Sequence, residues 1–156
     1  MSIQVYKNSE PEFKPTEYFQ GDVKAWGIFQ TRDGTVKRRF KADFKGTWEG
    51  ETFVLNEEIR YHDGETELRS WEITPIDNHH YQFASDDVVG ETPVAEVYGN
   101  AMNLNYVLSV KTESSTWNLR FDDWFYLLDE TRLMNRATVS KFGFTAGEVT
   151  IHFEKQ

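Results

Sequence analysis

Residues 36–48 alternate side-chain character almost without a break. Val36, Phe40, Ala42, Phe44, Gly46 and Trp48 share one parity, and Lys37, Arg39, Lys41, Asp43, Lys45 and Thr47 share the other. Successive side chains of a β-strand point to opposite faces, so the pattern predicts a long strand with one dry and one wet face. One residue breaks it: Arg38 falls on the dry face. Much of the remaining chain repeats this strand, anomaly included.

Residues 1–20 read as a polar lead-in with prolines at 11 and 15, and Pro15 suits the first position of a helical turn that Gly21 would end. Residues 21–156 read as one strand-rich domain. A strand over 22–31 sets Lys24, Trp26 and Ile28 against Val23, Ala25 and Phe29, and Asp33-Gly34 is a hairpin signal. After the opening strand, Phe53, Leu55, Ile59 and Tyr61 share a face on which Glu57 also falls; Asp63-Gly64 turns the chain again. Arg69, Trp71 and Ile73 share the next dry face, and Pro75 and Asp77-Asn78 are expected to end that strand. Shorter strands are expected at 80–84 and 94–98, with 86–90 ambiguous between them. Met102, Leu104, Tyr106, Leu108 and Val110 alternate cleanly, and a polar turn is expected at Glu113-Ser114-Ser115. Trp117, Leu119, Phe121, Phe125 and Leu127 form a further dry face with Asp123 among them. Strands over 133–140 and 149–153 complete the chain.

Nine or ten strands with short turns and no long helix are the signature of an antiparallel meander. A sheet of that size closes or splits, because twist accumulates and open edges invite aggregation. Long strands joined by hairpin-length turns favour closure, so the predicted fold is all-β: a single antiparallel up-and-down β-barrel.

At 156 residues the chain can bury a core without disulfides or metals, and it has no cysteine. A formal charge of -9 argues against a nucleic-acid backbone as partner. No apolar run reaches membrane-spanning length, and no signal-peptide layout is present. On these grounds the chain reads as soluble and cytoplasmic, or as periplasmic or envelope-associated if a leader has been removed.

The informative residues are polar ones at dry-face positions: Arg38, Glu57, Arg69, Asp123, and one of Asn135 or Arg136, with Arg136 taken as the ligand-facing choice. Charges are seldom buried unpaired, because desolvation is costly. Arg38, Glu57 and Arg69 lie on successive strands, which suggests an Arg-Glu-Arg ladder across the inner wall. Such a ladder could fix strand register, or it could form the polar end of a ligand cavity, where Arg binds carboxylate or phosphate. Trp71, Tyr106 and Phe121 would supply an apolar wall, while the tryptophans as a set (26, 48, 71, 117 and 124) are expected mainly in the core. Asp122 and Asp123 are adjacent on a strand and so cannot share a site. The histidines lie at turns or on a wet face, which argues against a metal site, and neither a cofactor fingerprint nor a catalytic triad is visible.

Ala25-Trp26-Gly27, Arg38-Arg39-Phe40, Gly46-Thr47-Trp48, Arg69 with Trp71, Asp87-Val88-Val89-Gly90 and Gly99-Asn100-Ala101 run in order along the chain. Phe121-Asp122-Asp123-Trp124, Asn135-Arg136, Ser140-Lys141-Phe142-Gly143 and Gly147-Glu148-Val149-Thr150 follow. In combination they resemble the bacterial family DUF3833, which has no established activity. Many of its members look like lipoproteins with a leader and a lipidated Cys, features this sequence lacks. Phe83 stands where the resemblance leads one to expect a smaller residue. The plan is also similar to lipocalin-like barrels of the calycin type, although the Gly-x-Trp often found near their first strand here ends a later one.

The function expected on this basis is non-enzymatic carriage or sensing of a small amphipathic or acidic ligand, with its anionic group near Arg38, Arg69 or Arg136. Two alternatives are an interaction protein that uses an exposed Trp124 and Tyr126, and an enzyme that uses Asp123 or Glu57 with an arginine.

Overall fold

The computed structural model describes residues 1–111 and 115–156; the expected polar turn at Glu113 and Ser114 lies outside the described residues. Ten strands follow one another: β1 (Gly21–Thr31), β2 (Val36–Glu49), β3 (Thr52–Tyr61), β4 (Thr66–Asp77), β5 (His80–Ala84), β6 (Val94–Tyr98), β7 (Ala101–Lys111), β8 (Thr116–Leu127), β9 (Arg132–Lys141) and β10 (Phe144–Lys155). Each pairs with its neighbour in the chain, and β10 returns to β1, so the meander closes into an up-and-down antiparallel barrel. Closure removes the free edges a ten-stranded sheet would otherwise expose.

The alternation along β2 has the predicted consequence. Ala42, Phe44 and Gly46 face the interior and are buried, whereas Lys37, Arg39, Lys41, Lys45 and Thr47 are exposed. The tryptophans depart from expectation: Trp71 is in the core, but Trp26 and Trp48 are 40% and 43% exposed. Trp26 has outward parity and stacks on His152 of β10, while Trp48 lies beyond the Gly21–Gly46 pair that ends the β1–β2 ladder and rests edge-on against Phe53. β4 ends at Asp77, as expected, but Pro75 itself lies inside the strand. The ladder to β5 slips between them, an irregularity that accommodates a residue without an N–H. Phe83 packs edge-on against Trp71, so the larger residue fills core space.

One end of the barrel is sealed by residues 1–20. A 3-10 turn (Ile3–Tyr6) leads to α1 (Pro15–Tyr18), and Phe13, Pro15, Tyr18 and Phe19 are buried. Phe19 inserts between Phe44 and Phe153, with ring centroids 6.0 and 5.7 Å away. A Cβ on Gly46 would collide with the Phe19 carbonyl oxygen, and this close approach explains the glycine of Gly46-Thr47-Trp48. Lys155 caps the turn from the last strand, donating to the carbonyls of Tyr18 at 2.6 Å and Gln20 at 2.7 Å. Gly99-Asn100 ties down the earlier part of the segment. Asn100 donates its backbone N–H to Ser9 Oγ at 3.0 Å, and the Gly99 carbonyl accepts from the Phe13 N–H at 2.9 Å.

β5 and β6 are short, so β4 and β7 outrun them. The ambiguous stretch 86–90 fills that gap. Val89 donates its N–H to the Val107 carbonyl, Ser109 donates to the Asp87 carbonyl, and Val88 bridges to Leu108. No helix among the described residues is long and apolar enough to cross a membrane.

Candidate functional site

Beyond the plug the interior is not filled. A cavity of about 350 Å³ lies inside the barrel, lined by residues from every strand except β6. Its floor rests on Phe19, Phe44 and Phe153, and its walls rise to Phe29, Arg38, Tyr61, Val110, Leu119 and Ala146 at the opposite end. The size falls in the lower part of the range typical of small-molecule sites.

The lining is mostly apolar, and its polar groups fall into three sets. The first is centred on Arg69. Register places Arg69 directly opposite Glu57, and its Nη1 donates to Glu57 at 3.0 Å. Its Nε donates to Asp87 at 3.1 Å and its Nη2 to Glu67 at 3.4 Å. One guanidinium therefore meets three carboxylates, and Asp87 is the link between the 86–90 stretch and β4. The Glu57 carboxyl is pushed above the usual range by burial, an effect that Arg69 opposes.

The second set is at the mouth. Arg38 donates to Asp63 and Glu65, each at 3.0 Å, and its guanidinium lies 3.5 Å from the centroid of the Tyr61 ring. The Arg-Glu-Arg ladder expected from the sequence is thus only half formed. Glu57 pairs across the β2–β3 ladder with Phe44, not Arg38, because the tight Asp63-Gly64 turn aligns Phe40 with Tyr61. Arg38 lies three inward positions nearer the mouth than Phe44 and is satisfied by the acids of that turn.

The third set is deep in the cavity. Asp123 on β8 faces inward and is buried, and Tyr106 on β7 donates its hydroxyl to Oδ2 at 2.5 Å. Asn135 on β9 donates its amide to Oδ1 at 3.3 Å and to the Trp124 carbonyl at 3.0 Å. Among the described residues no cation pairs with Asp123. Burial pushes its carboxyl up to about 6, against the lowering effect of the Tyr106 and Asn135 hydrogen bonds. Burial and the neighbouring Asp123 charge hold the Tyr106 hydroxyl well above the usual phenol range.

Tyr106 is therefore more than apolar wall, although its ring also serves that purpose. It stacks on Phe121 with centroids 5.3 Å apart and meets Trp71 edge-on at 5.5 Å. Trp71, Tyr106 and Phe121 form one continuous aromatic surface beside Asp123.

Arg136 is a correction. It points outward and pairs with Glu148 across β9–β10, while Asn135 is the inward residue. Alternation forbids both from facing the cavity, and inward Leu133 and Ala137 fix the parity. The same rule separates the two aspartates: Asp122 accepts from Asn103 on the outer face at 2.8 Å. Trp124 and Tyr126 are half-buried, covered by the Tyr6 ring of the N-terminal segment, so the expected exposed aromatic patch is absent. Sequence reasoning missed Asp87 and Glu67 as partners of Arg69. The inward parity of Glu67, two residues before Arg69, was a usable signal.

Solved structures with this architecture are numerous and remote in sequence. A DUF3598-family protein of unknown function from Nostoc punctiforme is 13% identical, with a TM-score of 0.67 over 94% of this chain; the chain spans about half (51%) of that protein. Rv2717c from M. tuberculosis is 12% identical, with a TM-score of 0.62 over 93% of this chain and 99% of that one. The S-type phycobiliprotein lyase CPES from Guillardia theta is 6% identical, with a TM-score of 0.64 over 100% of this chain and 93% of that one. At these identities the likeness is one of fold, a lipocalin-like calycin barrel. No protein of curated function matches the sequence. Some of the residues that resembled a family in the sequence, among them Arg38, Arg69, Trp71, Phe121 and Asp123, line the cavity, and the family match extends over residues 1–155: the chain belongs to DUF3833, a family described as "Protein of unknown function".

Proposed function

We propose that this protein binds one small, largely apolar molecule inside its barrel and acts as a carrier or sensor. The supporting observation is the interior cavity of about 350 Å³, sealed at the plugged end and continuous with an aromatic wall of Trp71, Tyr106 and Phe121. A fold built only for stability gains by filling such space, because each unfilled volume forfeits packing contacts. Native mass spectrometry of the protein from its own host, paired with displacement of a fluorescent apolar probe, tests the reading. A co-purifying small molecule, or probe binding that Ala137→Phe abolishes by filling the cavity, supports it; no bound molecule and no probe uptake overturn it.

A second reading is an enzyme that moves a proton with Asp123. The observation favouring it is a carboxyl held near 6, hydrogen-bonded to a phenol, in a cavity that a small molecule could enter. Deuterium incorporation into small carbonyl compounds, measured by NMR and lost in Asp123→Asn, is the expected result for that activity.

A further inference from the structure

The chemistry of the ligand's polar end follows from how the interior charges are partnered. This step rests on the binding reading above.

The interior resembles an anion site only while its arginines are counted alone. Arg69 commits one nitrogen to each of Glu57, Glu67 and Asp87, and Arg38 is held by Asp63 and Glu65 at the rim. With Asp123 included, two guanidinium groups face six carboxylates. An incoming carboxylate or phosphate would have to displace these partners and enter a field already negative. Asp123 is in the opposite situation. It is buried beside the cavity, its neighbours Tyr106 and Asn135 are uncharged donors, and no cation among the described residues reaches it. Both oxygens retain a lone pair beyond the bonds they accept. A buried carboxylate without a counter-charge is costly unless something supplies one.

We propose that the ligand carries a cationic nitrogen, of the amine or amidine type, and that it seats this group on the Asp123 carboxylate with its apolar body against Trp71, Tyr106 and Phe121. The nitrogen supplies the missing counter-charge, and the adjacent aromatic faces favour a cation over an anion. Selectivity then comes from the carboxylate excess as much as from Asp123, because Glu57 and Glu67 disfavour acids of the same shape.

Octylamine, octanol and octanoate share one apolar chain and differ only in the head group. Their binding to the full-length protein at pH 7.5 is measured by titration calorimetry, with Trp fluorescence as a second readout. The amine is expected to bind about tenfold or more tighter than the alcohol, and octanoate weakest. Asp123→Asn, shown to be folded by near-UV circular dichroism, is expected to erase the preference for the amine over octanol. In the unaltered protein the preference is expected to shrink between pH 7.5 and 5 as Asp123 takes up a proton. Tyr106, Asn135, Glu57 and the outward Asp122 surround that group, and burial sets the direction of its shift. This pH arm stands if the variant does not fold. Octanoate binding tighter than octylamine, or an amine preference that survives in Asp123→Asn, overturns the proposal. Equal binding of all three overturns the cationic head group and leaves the cavity reading intact. No binding of any of them overturns the cavity reading itself.

Discussion

The two halves of the barrel use the same inward-facing positions for opposite purposes. At the plugged end, Phe19, Phe44, Phe53, Leu133 and Phe153 are each under a tenth exposed, and Phe19, Phe44 and Phe153 pack ring against ring. Above it, from deep in the cavity to the mouth, inward-facing positions carry Asp123, Glu57, Arg69, Glu67 and Arg38, around a space that no side chain fills. The plugged half behaves as a structural core; the other half retains charges and a void, both of which cost stability. That cost, concentrated in one half, is what marks the site.

The contrast is broken most sharply from the plugged side. Phe19→Ala removes the ring between Phe44 and Phe153 and opens the sealed end. It is expected to cost roughly 3–5 kcal/mol in urea unfolding. A loss below about 1 kcal/mol would mean that the plug is an accessory, not part of the core.

On the other side, Arg69→Met leaves Glu57 buried without its partner. Breaking a buried pair typically costs about 3–5 kcal/mol, but Glu57 can escape part of that by taking a proton. Its carboxyl is already pushed up by burial, and loss of Arg69 removes the main opposing influence. A raised folded-state value means the folded form binds the extra proton, so the penalty is small in acid and grows as pH rises. Urea unfolding at pH 5 and pH 8 should therefore separate the variant from the parent mainly at the higher pH; an equal loss at both would point to lost packing.

Much of this contrast was legible in the sequence. Alternation in β2, β3 and β4 made Glu57 and Arg69 inward residues, and a one-residue slip would have reversed every neighbour as well; in β8 the signal for Asp123 was weaker, because Trp124 and Tyr126 make the opposite face aromatic too. Pairing was harder to read. Arg38 and Glu57 share a face on adjacent strands, yet their separation along the barrel depends on where the Asp63-Gly64 turn begins, which alternation does not encode. The Asn135-Arg136 choice failed because both residues are polar, and the parity had to come from Leu133 and Ala137. The covering of Trp124 and Tyr126 by Tyr6 joins the lead-in to β8, a long-range contact with no periodic signal.

Asp123→Asn distinguishes the two interior acids. In the folded protein the Asp123 carboxyl is pushed up to about 6 from an ordinary 3.8, so between these values the folded chain holds a proton that the unfolded chain has released. Its contribution to stability is therefore greatest in acid and is lost as pH rises through about 6. The full swing is about 3 kcal/mol for a shift of this size. The amide substitution cannot ionise, so it is expected to raise stability at pH 8 by about 1–3 kcal/mol and to change little at pH 5. A variant less stable than its parent at pH 8 would show that the hydrogen bonds of the carboxylate outweigh its burial.

The smallest expected effect belongs to the residue that the sequence favoured and the structure moved outside. Arg136 pairs with Glu148 on the outer wall with 65% of its side chain exposed. Such pairs in water contribute little, because the attraction is screened and two long side chains must be ordered to form it. Arg136→Ala should shift stability by less than about 0.5 kcal/mol and leave octylamine binding unaltered, whereas Asp123→Asn, one strand away on the inner face, changes both. If Arg136→Ala weakened binding of the amine, head-group recognition would not be confined to the interior, and the division between a charged inner site and an inert outer wall would fail.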